Sequence, residues 1–263
     1  MVGAGVLVAI GAVNSGAGLV KLATVASQQR VAAKRVPLEV TTQALPDEGR
    51  DFLSAKAWPV ILKTLKSFKP DVLAVGPGLG TSKSVLKIVK NFISKTDHPM
   101  VLDADGLSAW HGVNNVKRKV PLIITPHPGE LARILKTTTQ AVQKDRVWAA
   151  LEGAKKAKGV CLLKGEGTII TDREKIYKNP TGNPAMASGG MGDLLTGIIA
   201  ALWGQMDSQN QETGFTAACL GAYLHGLAGD LATKKKGGLS LLATEVSQFL
   251  AQAIRLIRKG DVL

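Results

Sequence analysis

Cysteine is scarce in this chain, which has only Cys161 and Cys219 among its 263 residues. Two cysteines cannot form a disulfide framework, and neither lies at a Cys-x-x-Cys or Cys/His spacing that would indicate zinc. Both are interpreted as buried small hydrophobic residues in a reducing compartment. The longest apolar stretch near the start, Val2 to Val13, lacks a basic flank and is too short to span a bilayer. We therefore predict a cytoplasmic protein with no membrane partner.

Acidic residues are also few, since 33 Lys and Arg face 20 Asp and Glu and give a formal net charge of +13. Such a charge suits either a nucleic-acid-binding protein or an enzyme that attracts anionic substrates. Aromatic residues make up only 4% of the chain, and none stands beside the short basic runs at 117–119, 155–156 and 234–236. Because single-strand binding modules interleave basic and stacking aromatic residues, the pattern favours the enzyme and predicts no nucleic-acid partner. Each run alone is most simply a solvated surface.

Long polar tracts are missing as well, because 45% of residues are hydrophobic and 20% are charged, a balance that excludes global disorder. From residue 71 onward, apolar runs alternate with longer helical patterns. Runs that are apolar throughout predict parallel strands covered on both faces, at 72–75, 100–103, 122–125 and 160–163. Residues 193–258 predict helices without a strand. We expect one doubly wound α/β domain.

Polar and glycine residues follow each predicted strand, at 76–80, 103–106, 125–130 and 164–168. Loops after the carboxyl ends of parallel strands are the places where ligands bind in open α/β sheets. The four segments therefore predict one composite site.

The stretch 179–193 leads into an apolar helix, for which a start at Leu194 is predicted. Gly189, Gly190 and Gly192 leave backbone N–H groups unobstructed, and the helix dipole adds positive potential, so the segment predicts an anion hole suited to phosphate. Asp193 at its edge is either a simple N-cap or a general base for a hydroxyl that attacks phosphorus. A helix N-terminus is expected to lower the pKa of Asp193, so that positioning and electrostatics must supply most of the rate.

The segment is neither a Walker A loop nor a GxGxxG turn after the first strand. A glycine-rich turn followed by Gly-Asp at the start of a late helix resembles the ribokinase-like enzymes, and among them the ADP/ATP-dependent (S)-NAD(P)H-hydrate dehydratases. The resemblance runs from about Gly3 to Arg255. It rests on six motifs in the family's order, at 16–20, 76–80, 102–107, 125–130, 163–168 and 179–197.

The resemblance implies a three-layer α/β/α fold with a mostly parallel central sheet. It also implies the conversion of the S epimer of NADHX or NADPHX to NADH or NADPH, by phosphorylation of the C6 hydroxyl and loss of phosphate. Phosphate leaves far more readily than hydroxide, which explains why a dehydration consumes a nucleotide. Mg²⁺ and ADP, giving AMP and phosphate, are the expected cofactor and co-substrate, with ATP as the other candidate nucleotide.

The resemblance assigns site residues by their match to the family motifs, with Asp193 as the catalytic residue. Expected contacts to the hydrate come from Ala4, Gly78, Gly80, His127 and Asp193. Expected nucleotide contacts come from Lys164, Gly165, Glu166, Gly167, Thr168, Asn183, Gly189, Gly190 and Gly192. Asp103, Asp105 and Glu130 are candidate ligands of Mg²⁺, which prefers carboxylate oxygens. Alternatively, the first two are strand-end turn residues, Glu130 caps the helix that begins near Pro128, and His127 is a surface residue.

Family members usually begin earlier, with a strand and a glycine-rich loop before the pair that matches Gly3 and Ala4. We expect residues 1–263 to be a single dehydratase domain without that strand and without an epimerase domain, so that a separate epimerase partner is needed. A homo-oligomer, most simply a tetramer, is expected from the resemblance. The main alternative is a ribokinase-like small-molecule kinase of the hydroxyethylthiazole or hydroxymethylpyrimidine type.

Overall fold

The computed structural model describes residues 1–110 and 120–260, so the basic run at 117–119 lies outside the described residues. The helices are α1 (Val2–Asn14), α2 (Ala26–Ala33), α3 (Ala57–Phe68), α4 (Lys83–Lys95), α5 (Asp105–Ser108), α6 (Pro128–Leu135), α7 (Thr139–Lys144), α8 (Arg146–Ala157), α9 (Met191–Gly204), α10 (Gln211–Lys236), α11 (Ala243–Ser247) and α12 (Leu250–Lys259), with a 3-10 turn at Pro184–Met186. The strands are β1 (Val20–Val25), β2 (Val40–Leu45), β3 (Leu73–Val75), β4 (Met100–Leu102), β5 (Leu122–Ile124), β6 (Val160–Leu163), β7 (Ile169–Thr171) and β8 (Ile176–Lys178).

The main sheet has the order β3-β4-β5-β6-β7-β8, in which β3 to β6 are parallel and β7 and β8 are antiparallel. The four predicted parallel strands are confirmed to within one residue at each end. Their side chains alternate between two cores. Leu102, Ile124 and Leu163 pack with helices on one face, whereas Val101 and Ile123 pack with α9 and α10 on the other. Helices on both faces of a mostly parallel sheet confirm the predicted three-layer α/β/α class.

A second, two-stranded parallel sheet pairs β1 with β2, starting at Val20 opposite Val40. A cavity of about 590 Å³ lies between this sheet and the main one, lined by residues of β1, β3, α1, α3 and α9. No strand is predicted before residue 71, because β1 and β2 are only partly buried and lack a continuous apolar run. The first quarter of the chain thus adds strands that the pattern of apolar runs does not reveal.

Helix α1 lies against α9 at very short range, and glycine makes this approach possible. A Cβ atom at Gly197 would overlap the carbonyl oxygen of Val8, and one at Gly11 would overlap that of Leu194. Because the obstructing atoms are backbone, neither contact could be relieved by rotating a side chain. Helix α9, which carries Asp193 in its first turn, is therefore held in place by backbone contact with α1.

The two cysteines differ in burial, since Cys161 is buried and Cys219 is partly exposed on α10. The prediction that both are buried is therefore wrong for Cys219, whose position on α10 leaves part of the residue in solvent. Desolvation raises the pKa of Cys219 to about 12, which makes it a poor nucleophile. Within the described ranges, none of the helices combines the length and the apolar character needed to cross a membrane.

Candidate active site

The loops that follow β3, β4, β5 and β6 meet at one edge of the main sheet. The Asp103 amide donates to the carbonyl of Val75 at 3.1 Å, and the Lys164 amide donates to that of Pro126 at 2.9 Å. Gly76 has a φ of +130°, and a Cβ there would overlap the Asp103 carbonyl oxygen. The structure thus brings together the four segments that the sequence predicts to form one site.

A charged cluster occupies the centre of this edge. Lys164 Nζ lies 2.6 Å from Asp103 Oδ1 and 3.7 Å from Glu130 Oε2. The second oxygen of Asp103 accepts a hydrogen bond from Thr196 Oγ1 of α9 at 2.7 Å. The Asp103 side chain is only 1% exposed, so both of its oxygens are committed to protein donors. The two hydrogen bonds fix the orientation of this buried carboxylate between Lys164 and α9.

The glycine-rich turn at residues 189–192, the glycine loop, reaches this cluster through Gly192. Helix α9 begins at Met191, not at the predicted Leu194, and its N-cap is Gly190, whose φ of +90° favours glycine. A Cβ on Gly192 would lie 3.4 Å from Lys164 Nζ, while one on Gly189 would meet no atom within 4 Å. The helix N-terminus is therefore open on one side and faces an ammonium group on another, as an anion site requires.

Asp193 lies in the first turn of α9 and is not its N-cap. The predicted lowering of its pKa is wrong, because the pKa is raised to about 6. Burial is the largest cause, and the charges of Asp103 and Asp105 add to it, while Lys164 and the terminal ammonium oppose it. The helix dipole does not outweigh desolvation and two neighbouring carboxylates. A carboxyl group with this pKa is charged at neutral pH and is a stronger base than an ordinary aspartate.

His127 and Glu130 cap α6 through a reciprocal pair of hydrogen bonds. The His127 ring nitrogen Nδ1 accepts from the Gly129 amide at 3.0 Å and the Glu130 amide at 3.4 Å, and the His127 amide donates to Glu130 Oε2 at 2.7 Å. The alternative that Glu130 caps this helix is confirmed. The His127 side chain is 52% exposed, so its ring stands at the rim of the site while Glu130 connects it to Lys164.

Of the other residues expected to bind the hydrate, Gly78 and Gly80 lie in the loop after β3, and Ala4 on α1 lies close to Gly78. Asp105 Oδ2 accepts a hydrogen bond from the Gly80 amide at 2.8 Å. Gly78 has a φ of +70°, and a Cβ there would lie 3.1 Å from the Cβ of Ala4. The start of α1 is thereby packed against the loop after β3.

The loop 164–168 is held from below by Arg146 at the start of α8. Its Nη2 donates to the carbonyls of Leu163 at 3.2 Å and Lys164 at 3.3 Å. The Thr168 hydroxyl closes the loop by donating to the Gly165 carbonyl at 2.8 Å. Neither contact involves Glu166 or Gly167, which leaves the middle of the loop free of these two restraints.

Asn183 has structural partners of its own. Its Nδ2 donates to Asp230 Oδ1 at 2.7 Å, and its Oδ1 accepts from the Ala185 amide and the Thr233 hydroxyl, each at 3.1 Å. It lines a separate open cavity of about 510 Å³ together with Asp230 and Leu239. A nucleotide contact from Asn183 therefore stays a prediction.

The three candidate magnesium ligands do not form a cage. Asp103 is engaged by Lys164 and Thr196, Asp105 by Gly80, and Glu130 by His127. Within residues 1–110 and 120–260, no group of three or more His, Cys, Asp or Glu side chains is arranged to hold a metal ion. The donor set therefore does not fit a magnesium ion bound by protein side chains alone.

Comparison with known families decides the classification. The family model described as NAD(P)H-hydrate dehydratase matches residues 1–252. The chain is 41% identical over 258 residues to the bifunctional NAD(P)H-hydrate repair enzyme Nnr of Moorella thermoacetica, covering 97% of this chain and 47% of that protein. This chain belongs to the NAD(P)H-hydrate dehydratase family. The predicted family is thus confirmed, and the chain spans about half the length of the curated relatives it matches.

Solved structures agree with membership of the dehydratase family. The ADP/ATP-dependent NAD(P)H-hydrate dehydratase from Bacillus subtilis, co-crystallised with ATP/Mg²⁺, has a TM-score of 0.78 and 30% identity, covering 97% of this chain and 85% of that one. A hydroxyethylthiazole kinase from Pyrococcus horikoshii has a TM-score of 0.60, 11% identity and 95% coverage of both chains, so it shares only the fold. The dehydratase interpretation is favoured over the kinase alternative.

Two contributors to this dehydratase-family site are not predicted from the sequence. Thr196 carries a signal that could have identified it, since it is a hydroxyl residue in an apolar helix, three positions after Asp193. Arg146 carries none, because its contacts are with the backbone of a segment that is distant in sequence. Both residues act on groups that the motifs do identify.

Proposed function

We propose that the chain dehydrates the S epimer of NADHX or NADPHX to NADH or NADPH and consumes a nucleotide in doing so. One observation carries the proposal. Asp193, with a pKa of about 6, sits in the first turn of α9 beside an open glycine turn and above the Lys164–Asp103 pair. A base, an anion hole and a cation in one place suit the transfer of a phosphoryl group to a hydroxyl.

The proposed reaction begins when the Asp193 carboxylate takes the proton of the C6 hydroxyl. The hydroxyl oxygen forms a bond to the terminal phosphorus of the nucleotide as the bridging P–O bond breaks. The lone pair of the ring nitrogen then expels phosphate from C6, and loss of a proton from C5 restores the ring double bond. The glycine-loop amides and Lys164 stabilise the charge on the phosphoryl group during transfer.

ADP, giving AMP and phosphate, is the proposed co-substrate, with ATP as the alternative. Binding of either nucleotide is supported by the related Bacillus subtilis structure co-crystallised with ATP/Mg²⁺. Magnesium usually keeps several waters and binds through substrate phosphates with one or two carboxylates. Since the described carboxylates form no cage, a magnesium ion would be held mainly by the nucleotide phosphates.

The partners of the protein are further proposals. The site would accept one hydrate epimer. An epimerase that interconverts the two epimers would therefore allow both to be dehydrated, and the bifunctional relatives support this proposal. We also propose that residues 1–263 act as one domain, that the protein is cytoplasmic, and that it assembles as a homo-oligomer, most simply a tetramer. Light scattering on the purified protein tests the assembly.

The experiment incubates the protein with NADHX and Mg²⁺ and with either ADP or ATP in parallel. One phosphate released for each reduced nicotinamide formed, with AMP as the second product of the ADP reaction, supports the proposal. Phosphorylation of hydroxyethylthiazole or hydroxymethylpyrimidine by ATP, without any dehydration of NADHX, would instead establish the kinase alternative.

A further inference from the structure

We propose that Asp103 is a positioning residue that holds the Lys164 ammonium beneath the glycine loop, and that Thr196 fixes Asp103 in that orientation. This inference rests on the proposed function and adds to it two residues that act through Lys164. Asp103 follows β4, Lys164 follows β6, and Thr196 lies on α9. The carboxylate therefore connects three elements that are separate in sequence.

Each oxygen of the Asp103 carboxylate is engaged by a protein donor. One oxygen lies 2.6 Å from Lys164 Nζ, and the other accepts the Thr196 hydroxyl at 2.7 Å. The side chain is 1% exposed. A carboxylate that is buried and held by two protein donors is poorly exposed to a substrate or a metal ion. The role of Asp103 is therefore to hold the Lys164 ammonium.

Lys164 is restrained both at its backbone and at its side-chain ammonium. Its amide donates to the Pro126 carbonyl at 2.9 Å, and its own carbonyl accepts from Arg146 at 3.3 Å. Its ammonium reaches a point 3.4 Å from where a Cβ of Gly192 would stand. A lysine side chain has four flexible bonds, and without an anchor its ammonium would spread over many positions. Asp103 supplies that anchor next to the turn where phosphate is expected.

Thr196 places the anchor relative to the base. It is three residues after Asp193 on α9, so the two side chains lie on neighbouring positions of one helix face. Any shift of α9 would move Asp193 and the Thr196 hydroxyl together. The Asp193 carboxyl group, the Asp103 carboxylate and the Lys164 ammonium therefore keep fixed positions relative to one another.

The backbone between the two carboxylates at the end of β4 is strained. Ala104 has φ +48° and ψ −124°, a region that residues with a side chain rarely adopt. On one side Asp103 binds Lys164 and Thr196, while on the other Asp105 accepts the Gly80 amide. The strained residue lets consecutive carboxylates serve different partners.

The test compares Asp103→Asn, Asp103→Glu and Thr196→Val with wild type, using kcat, the nucleotide KM and the pH profile. Glu152→Gln is the control, because Glu152 forms an exposed pair with Lys155 outside the site. We expect Asp103→Asn to lower kcat by about 100-fold, as misplacement of a group near the reacting centre does. The nucleotide KM should stay equal or fall, because the change removes a negative charge next to a polyanion.

The acid limb of the pH profile separates positioning from a general structural defect. The charges that face Asp193 are those of Asp103, Asp105, Lys164 and the terminal ammonium, and Asp103→Asn removes only the first. The limb should therefore move to lower pH in Asp103→Asn. It should stay in place in Asp103→Glu and in Thr196→Val, whose kcat we expect to fall by about tenfold.

Calorimetric binding of ADP gives a second readout that does not need turnover. We expect Asp103→Asn to bind ADP at least as tightly as wild type does. The inference would be overturned if Asp103→Asn had the same kcat as wild type. It would also be overturned if the variant had a raised ADP Kd and an acid limb at the wild-type pH. Either result would leave the proposed function intact. An inactive wild-type protein would instead count against the proposed function, while the ADP measurement would still test the role of Asp103.

Discussion

Asp193 is subject to opposing effects that together set its chemistry. Burial and the charges of Asp103 and Asp105 raise its pKa, while Lys164 and the terminal ammonium lower it, with a net value of about 6. The motif identifies Asp193 from the sequence, because glycines before an apolar helix indicate an anion site. Its pKa could not be predicted, because it depends on how deeply the carboxyl is buried and on residues about 90 positions away.

The pH dependence of activity follows from this pKa. The base works only as the carboxylate, so kcat/KM should fall by about tenfold for each pH unit below about 6. A pH–rate profile at saturating nucleotide measures this acid limb, the fall of kcat/KM toward low pH. A limb near pH 4, the ordinary range for aspartate, would contradict the assigned environment.

Asp193 should also lower the stability of the fold. Its pKa is higher in the folded state than the ordinary value of 3.8. Its contribution is therefore favourable below the unfolded pKa and is lost as pH rises through about 6. Replacing it by Asn should stabilise the protein by on the order of 1–2 kcal/mol at about pH 8, after allowance for solvent screening, and by little at about pH 4.

Chemical denaturation of Asp193→Asn and wild type at the two pH values measures this difference. Glu152→Gln removes a partly exposed carboxylate outside the site and should change stability little at either pH. An Asp193→Asn variant that is less stable than wild type at the higher pH would show that the carboxylate stabilises the fold.

The pairing of α1 with α9 is the element-scale feature on which the site depends. Gly11 and Gly197 let the two helices touch through backbone atoms, and α9 carries both Asp193 and Thr196. Fully buried parallel strands such as Val160–Leu163 are predictable because every residue is apolar. Strands β7 and β8 are three residues long, and β8 is mostly exposed. Strands this short leave no periodic pattern to detect.

Substitution of Gly197 tests the helix pairing. Gly197→Ala should destabilise the protein by about 1–3 kcal/mol or more, since the new methyl group meets a backbone carbonyl. The displaced α9 should also lower kcat. Thermal unfolding and steady-state kinetics measure both effects.

Gly204→Ala is the matched control on the same helix. A Cβ there would meet its nearest neighbour at 3.8 Å, an ordinary contact. Replacement of a helical glycine by alanine should leave stability unchanged or raise it by up to about 1 kcal/mol. Equal losses in the two variants would show that α9 tolerates neither change and that close packing on α1 is not the cause.

At the scale of the whole molecule, the sheet separates two cores and presents one edge to ligands. The layer architecture was predictable because the apolar runs alternate with helical patterns. The separate β1–β2 sheet and its cavity were not, since their residues are only partly buried. The formal charge of +13 suits anionic substrates, and scattered lysines contribute most of it.

The charge should not confer nucleic-acid binding. A gel-shift assay with duplex and single-stranded DNA at about 0.15 M salt should show no retention, because the lysines are scattered along the sequence and the short basic runs have no aromatic residue beside them in sequence. Retention that weakens steeply as salt increases would identify a phosphate-binding surface and contradict the expectation.

The role of Asp193 as the base is tested by following absorbance at the reduced-nicotinamide band after NADHX, Mg²⁺ and ADP or ATP are added to wild type and to Asp193→Asn. Wild type should restore the band with at least one nucleotide. The variant should be slower by about 10²- to 10⁴-fold, the usual contribution of a general base. No recovery by wild type with either nucleotide would contradict the dehydratase activity, and equal rates for the two proteins would contradict the role of Asp193 as the base.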